Sequence, residues 1–396
     1  MHGRMSVRLR CVVLALLAVF CQCLFSQQSA TKTGAVPNER SPPESGHSNA
    51  VQAAVITAIS ALAGVLLKDL IFKIWEERRE KTAALRAVYS RYGDPLSSST
   101  VSLMWRLHEA LELPGRGRFL KLAGLPAATN KYSTFGAYKK LSTLYRLAVL
   151  LGWIRACRRE FSYLKVAGQD KAEPIDAAMA EFESALADGP AVEVERLEKL
   201  CTLWGLNAPA DENRRSSAAV DLEAAIDEFM EATHTDEIFT MTDHDKHGLA
   251  SCAASAITGA FKVQAVPSNV LTQTWARAVQ IIDIKEAWIY RDWQSAIGDL
   301  MLRPVDNGDR RFDVISYGEF ESICTTGTDE EKKWISRISA VFDGIDVSVR
   351  NQYDHRPDQL LAVMRATARL TRALSKCADN TSISEKSLEL ASKLSQ

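Results

Sequence analysis

Apolar positions recur at helical spacing along most of this chain. Ile175, Met179, Phe182 and Leu186 mark one helical face, closed by Asp188-Gly189, and Val194, Leu197, Cys201 and Trp204 mark the next, closed by Gly205. The run 133–164 predicts one long helix whose centre, LYRLAVLLGWI, is apolar nearly all round. Residues 75–92 predict a helical stalk stopped by Gly93, and Asp94-Pro95 starts a helix carrying Leu103, Leu107 and Leu111. A helix with Val220, Leu222, Ile226 and Phe229 follows the polar stretch 207–217. The stretch between Pro267 and Pro304 predicts a single long helix. Thr328 and Glu331 form a capping box for a helix ending at Gly344, and a last helix covers 358–377. FKVQAV and FDVISY are short strand candidates. The expected fold is mostly α, a bundle-like helical body with at most a few short strands.

Two segments depart from this amphipathic pattern. CVVLALLAVFCQCLF follows three arginines, so residues 1–25 predict a signal peptide or a first membrane anchor. Residues 26–49 predict a flexible linker. Residues 50–67 hold no charge and span about 27 Å at 1.5 Å per residue; with Leu70, Ile71 and Phe72 they predict a transmembrane helix over 50–74. Lys68, Lys73, Arg78, Arg79, Lys81 and Arg86 follow it, whereas only Lys32 and Arg40 stand in the linker. That asymmetry places the remainder on the cytoplasmic side. Ala54, Thr57, Ala58, Ala61 and Gly64 share one face of small residues, a pattern suited to self-association of membrane helices. The organisation expected after the anchor is a stalk and first helical domain over 75–206, a second helical region over 218–378, and a tail over 379–396.

The net charge of −1 argues against a whole-chain grip on nucleic acid. The body cysteines are scattered singly without a C-x-x-C, which implies free thiols and no structural zinc.

Candidate chemistry is sparse. TMTDHDKHGLAS gathers Asp243, His244, Asp245 and His247, ligand types for a transition metal, although a solvated polar loop is the plainer reading. His244-Asp245 resembles the dipeptide of metal-dependent HD phosphohydrolases, over those two residues alone. Arg365, Arg369, Arg372 and Lys376 line one face of the last helix and suit an anionic partner, or carboxylates of neighbouring helices. PGRGR offers Arg116 and Arg118 to a phosphate or to anionic lipid. Ser162 to Lys165 fits S-x-x-K without its companion motifs. In WIYRDWQSAIGDL, aromatic and charged residues mix as at an interface or an internal ion pair. No nucleotide-binding or hydrolase motif is present and no cofactor is implied. The expected role is therefore a membrane-anchored interaction or scaffolding protein facing the cytoplasm, its partners the lipid bilayer and another protein or a second copy, with nucleic acid disfavoured. The alternatives are a metal-assisted hydrolase using residues 243–247 and a binder of anionic lipid or nucleic acid through the Arg365–Lys376 face.

Overall fold

The computed structural model describes residues 87–122, 134–163, 174–189, 192–235, 238–306, 308–376 and 383–396, with isolated positions between 68 and 83; the side chains of residues 134, 161–163 and 239 are excepted. Contacts divide the chain into Met1–Glu76 and Glu77–Gln396. Residues 1–67 lie outside the described residues, and with them the first apolar segment, the linker, the uncharged stretch 50–67 and the small-residue face Ala54, Thr57, Ala58, Ala61 and Gly64. Among the described residues no helix is long and apolar enough to cross a membrane.

The unit from Glu77 onward is mostly helical. Helix α1 covers residues 87–111 without interruption, so Gly93 and Pro95 lie inside it rather than between two helices. Proline there removes one i→i−4 bond. Burial of Tyr92, Leu96, Leu103 and Leu107, each at most 1% exposed, offsets that cost. A 3-10 turn, Arg116–Lys121, leads towards α2, Thr134–Tyr163, the long helix expected from its apolar centre. Helix α3 (Pro174–Ala187) buries the face read from its spacing, and α4 (Val192–Trp204) buries Leu197, Cys201 and Trp204 of its face together with Val192 and Leu200, Val194 being half-buried. Gly205 closes α4 with φ +66, and the N–H of Leu206 donates to the Cys201 carbonyl at 2.8 Å. Helices α5 (Glu212–Ala232), α6 (Asp243–Phe261) and α7 (Ser268–Ile282) follow. Within α5, Val220 is 62% exposed because Ala218, Ala219, Leu222 and Ile226 define the buried face instead.

The helix expected between Pro267 and Pro304 is two helices. After the turn at Asp283, residues 284–290 connect α7 to α8 (Arg291–Met301) without helix, with Ala287 and Ile289 buried and Tyr290 exposed. Strand β1 (Leu302–Pro304) pairs antiparallel with β2 (Phe312–Val314), so FDVISY contributes a strand, whereas FKVQAV is irregular. Helix α9 (Tyr317–Thr326) starts at a capping box of Ser316 and Glu319. Helix α10 (Asp329–Ala340) has the expected Thr328–Glu331 box. Helix α11 (Arg356–Leu374) is followed by α12 (Glu385–Leu394), which lies in the stretch read as a tail and buries Leu390, Ala391 and Leu394.

Two apolar cores result. Residues of α1–α3 and α8–α12 form the first, and residues 192–284, the helices α4–α7, form the second. The second core is therefore inserted between α3 and α8; of the polar stretch 207–217, residues 207–211 join two of its own helices, α4 and α5, and residues 212–217 are the start of α5. Within the first core, α2 and α8 cross closely at glycines: a Cβ on Gly298 would lie 2.6 Å from Arg155 Cβ, and one on Gly152 3.0 Å from Met301 Cβ. Beside the crossing Arg155 holds Asp299 through two bonds, of 2.6 and 3.0 Å.

The described body cysteines, Cys157, Cys201, Cys252 and Cys324, are unpaired. Burial pushes the Cys157 and Cys324 thiols from 9.0 to about 12 and the Cys201 thiol to about 11. A thiol whose folded-state pKa is raised contributes stability that is complete below pH 9 and is lost as pH rises through 11 to 12. The thermal midpoint should fall between pH 9 and 11, with Tyr317, pushed to about 12 mainly by burial, acting in the same direction. The triple variant Cys157→Ala, Cys201→Ala, Cys324→Ala should flatten that decline. An equally steep decline in the triple variant would refute the attribution.

Candidate functional site: the seam between the two cores

Titratable groups gather where the chain passes from the second core to the first. Ile284 belongs to the second core and Ala287 and Ile289 to the first, so Asp283–Tyr290 bridges both. The bridge pairs with residues 353–355: the N–H of Lys285 donates to the Tyr353 carbonyl at 2.8 Å, and the N–H of His355 to the Lys285 carbonyl at 2.9 Å. From α4, Arg196 donates to both carboxylate oxygens of Glu223 at 2.9 Å and to the Ile284 carbonyl at 3.1 Å, with Glu286 at 4.0 Å. The Trp288 indole donates to Glu286 at 2.5 Å. His355 Nε2 lies 2.8 Å from Glu195, and Lys199 stands 5.5 Å from the centre of the Tyr353 ring. Asp354 grips Arg356 at 2.8 and 2.7 Å.

Burial raises the carboxyl pKa of Asp283, opposed by Lys285, Arg196 and Arg356. Burial likewise raises Glu286, opposed by the Trp288 hydrogen bond and by Arg196. Raised carboxyls beside a shallow depression lined by Asp283, Lys285 and Tyr353 are the kind of cluster that marks functional sites. Here, however, each carboxylate has a cation beside it, and the partners come from both cores. The arrangement fixes one core against the other. Spacing alone could not reveal it, because Arg196, Glu286 and His355 are far apart in the chain.

The residues singled out by sequence lie elsewhere. Asp243 to His247 form the first turns of α6 rather than a loop. Thr242 caps the helix, accepting from the Asp245 N–H at 3.2 Å and donating to its carboxylate at 2.6 Å. Asp243 and Asp245 there complement the positive end of the helix dipole. Asp243 and His244 are exposed, and the His247 ring packs 6.4 Å from that of Trp275. Among the described residues no group of three or more His, Cys, Asp or Glu side chains is placed to hold a metal ion. Of the cationic face of α11, Arg369 pairs with Glu181 of α3 at 2.6 Å and Arg372 donates to Ser395 at 2.8 Å, which leaves Arg365 and Lys376 exposed without such contacts among the described residues. Asp299 pairs with Arg155 and also with Arg159 at 3.0 Å, and Arg291 with Asp188 at 3.0 Å. The side chains of Ser162 to Lys165 lie outside the described residues. No protein-family model, curated protein or solved structure matches this chain.

Proposed function

We propose that the protein is a membrane-anchored interaction or scaffolding module whose helical body faces the cytoplasm. The observation that carries this reading is the placement of Phe72 and Trp75. They are 57% and 56% exposed on helical backbone, with ring centres 6.2 Å apart, beside the exposed Lys68 and Lys73. Solvent-facing aromatics interleaved with lysines directly after 18 uncharged residues (50–67) match the headgroup end of a membrane helix. On this reading residues 50–74 span the bilayer, and Ala54, Thr57, Ala58, Ala61 and Gly64 form a face for self-association.

A partner role for the body is supported by one surface cluster. Arg337 stacks 4.1 Å over the Trp293 ring, and Tyr290, 52% exposed, meets that ring edge-on at 4.9 Å. Tyrosine, tryptophan and arginine are the residue types that dominate protein-interface hot spots. The hydrolase reading draws little support, since Asp243 to His247 already serve as a helix start.

Fusions of fluorescent protein and of alkaline phosphatase to the C-terminus test the placement. A fluorescent, phosphatase-inactive chain that stays in carbonate-washed membranes is expected. A phosphatase-active fusion would overturn the orientation, and a chain released by carbonate would overturn the anchor.

A further inference from the structure

A second concentration of charge, away from the seam, stands where α1, α2 and the 3-10 turn meet. Glu109 of α1 draws in Lys139 at 2.7 Å, Arg106 at 3.5 Å and Arg116 at 3.6 Å. Arg146 of α2 is close enough to act electrostatically on both Arg106 and Glu109. Three cations thus share one carboxylate, and Arg146, which donates to the Ser102 carbonyl at 2.9 Å, adds a fourth positive charge nearby. Arg106 forms the floor: its side chain is 4% exposed, Nη2 donates to Ser142 at 3.5 Å, Nη1 stands in an ion pair 3.5 Å from Glu109 without completing a hydrogen bond, and Nε is buried without an acceptor. Leaving buried guanidinium donors unmet is expensive. The other side of the cluster is open, with Arg116 63% and Tyr138 49% exposed.

The sequence builds this mouth deliberately in PGRGR. Gly115 adopts φ +73 to enter the turn, and a Cβ on Gly117 would sit 2.3 Å from the Ala110 carbonyl oxygen. Only a residue without a side chain lets the turn lie flush on the end of α1, which brings Arg116 to Glu109.

We infer that Arg106, Arg116, Lys139 and Arg146 form a binding site for a phosphate group. A phosphate supplies several acceptor oxygens to Arg116 and Lys139 on the open side, above the buried Arg106 guanidinium, and a double negative charge against the net excess of three cations. Guanidinium forks match that geometry better than ammonium groups do. A carboxylate would offer two oxygens and one charge. The group's source is either a free phosphate or the headgroup of a phosphatidic-acid-like lipid.

The test uses the detergent-solubilised full chain and its tryptophan-fluorescence melting curve. Inorganic phosphate, dihexanoyl phosphatidic acid and, as control, dihexanoyl phosphatidylcholine are each added, against chloride of equal ionic strength. Saturating phosphate ligand should raise the midpoint by about 2–4 °C. The exposed substitution Arg116→Gln, combined with Lys139→Gln, should cut that shift at least fourfold while preserving the ligand-free melt. Arg106→Gln, which removes the charge beneath the site, should diminish it as well; if that variant fails to fold, the Arg116 and Lys139 pair decides. A shift by inorganic phosphate, with or without one by phosphatidic acid, assigns the site to a free phosphate group, and a shift by phosphatidic acid alone assigns it to a lipid headgroup. No shift by either probe, or one undiminished in the variants, overturns the inference.

Discussion

Replacing Gly189 with alanine should cost this protein on the order of 1–3 kcal/mol, and with valine more, because the site has no room for any side chain. A Cβ there would lie 1.8, 2.1 and 2.3 Å from three atoms of the Trp288 ring. The indole cannot easily step aside. Its N–H is held by Glu286, and its neighbours Ala287 and Ile289 are buried in the first core. Displacing Trp288 therefore pulls on Glu286 and, through it, on Arg196 of the second core. Trp288→Ala alone should also destabilise, by removing a large packed ring. The diagnostic result lies in the combination. Once the ring is gone, Gly189→Ala should add almost nothing, so the double variant should melt with Trp288→Ala. Urea unfolding of the four proteins measures this. Additive losses would show that Gly189 is needed for a reason other than the close approach.

That pair also shows what the sequence could and could not disclose. Asp188-Gly189 reads as the end of a helix, and α3 does end at Ala187. The demand on Gly189 comes from an indole 99 positions away, and no local pattern carries such a contact. The helical faces of α3 and α4 were legible because each buries a single stripe. The non-helical bridge 283–290 was hidden because its residues are good helix formers on both sides; the pull of two cores overrides that preference. Gly93 and Pro95 misled in the opposite sense, since burial around Tyr92 and Leu96 carries α1 through both. The histidine-aspartate cluster stood out by composition, yet a first helical turn asks for the same acidic residues. The cations around Glu109 went unread as a group because they come from three elements.

Asp343→Ala should be at least as damaging, at about 3–5 kcal/mol, because it strips the counter-charge from a fully buried ammonium. Lys140 is 0% exposed, donates to the Leu122 carbonyl at 2.6 Å and forms an ion pair with Asp343. Ser339 donates to the same carboxylate at 2.8 Å. Arg356 donates to the Ala340 and Asp343 carbonyls at 3.2 and 2.5 Å, so two cations close the C-terminal end of α10. Burial lowers the Lys140 pKa below its ordinary 10.5, with Asp343 pulling it back up. Removing Asp343 lowers it further, so the unfolded chain then holds a proton over a pH range in which the folded chain does not. Stability rises with pH across such a range. The deficit of Asp343→Ala relative to the parent should therefore shrink between pH 7 and 10, the thiol effect being common to both proteins. Lys140→Met in the Asp343→Ala background should recover most of the loss, since an apolar side chain of similar length needs no counter-charge. A deficit independent of pH, together with no recovery by Lys140→Met, would mean that Asp343 acts by shaping the turn after α10 and not by neutralising Lys140.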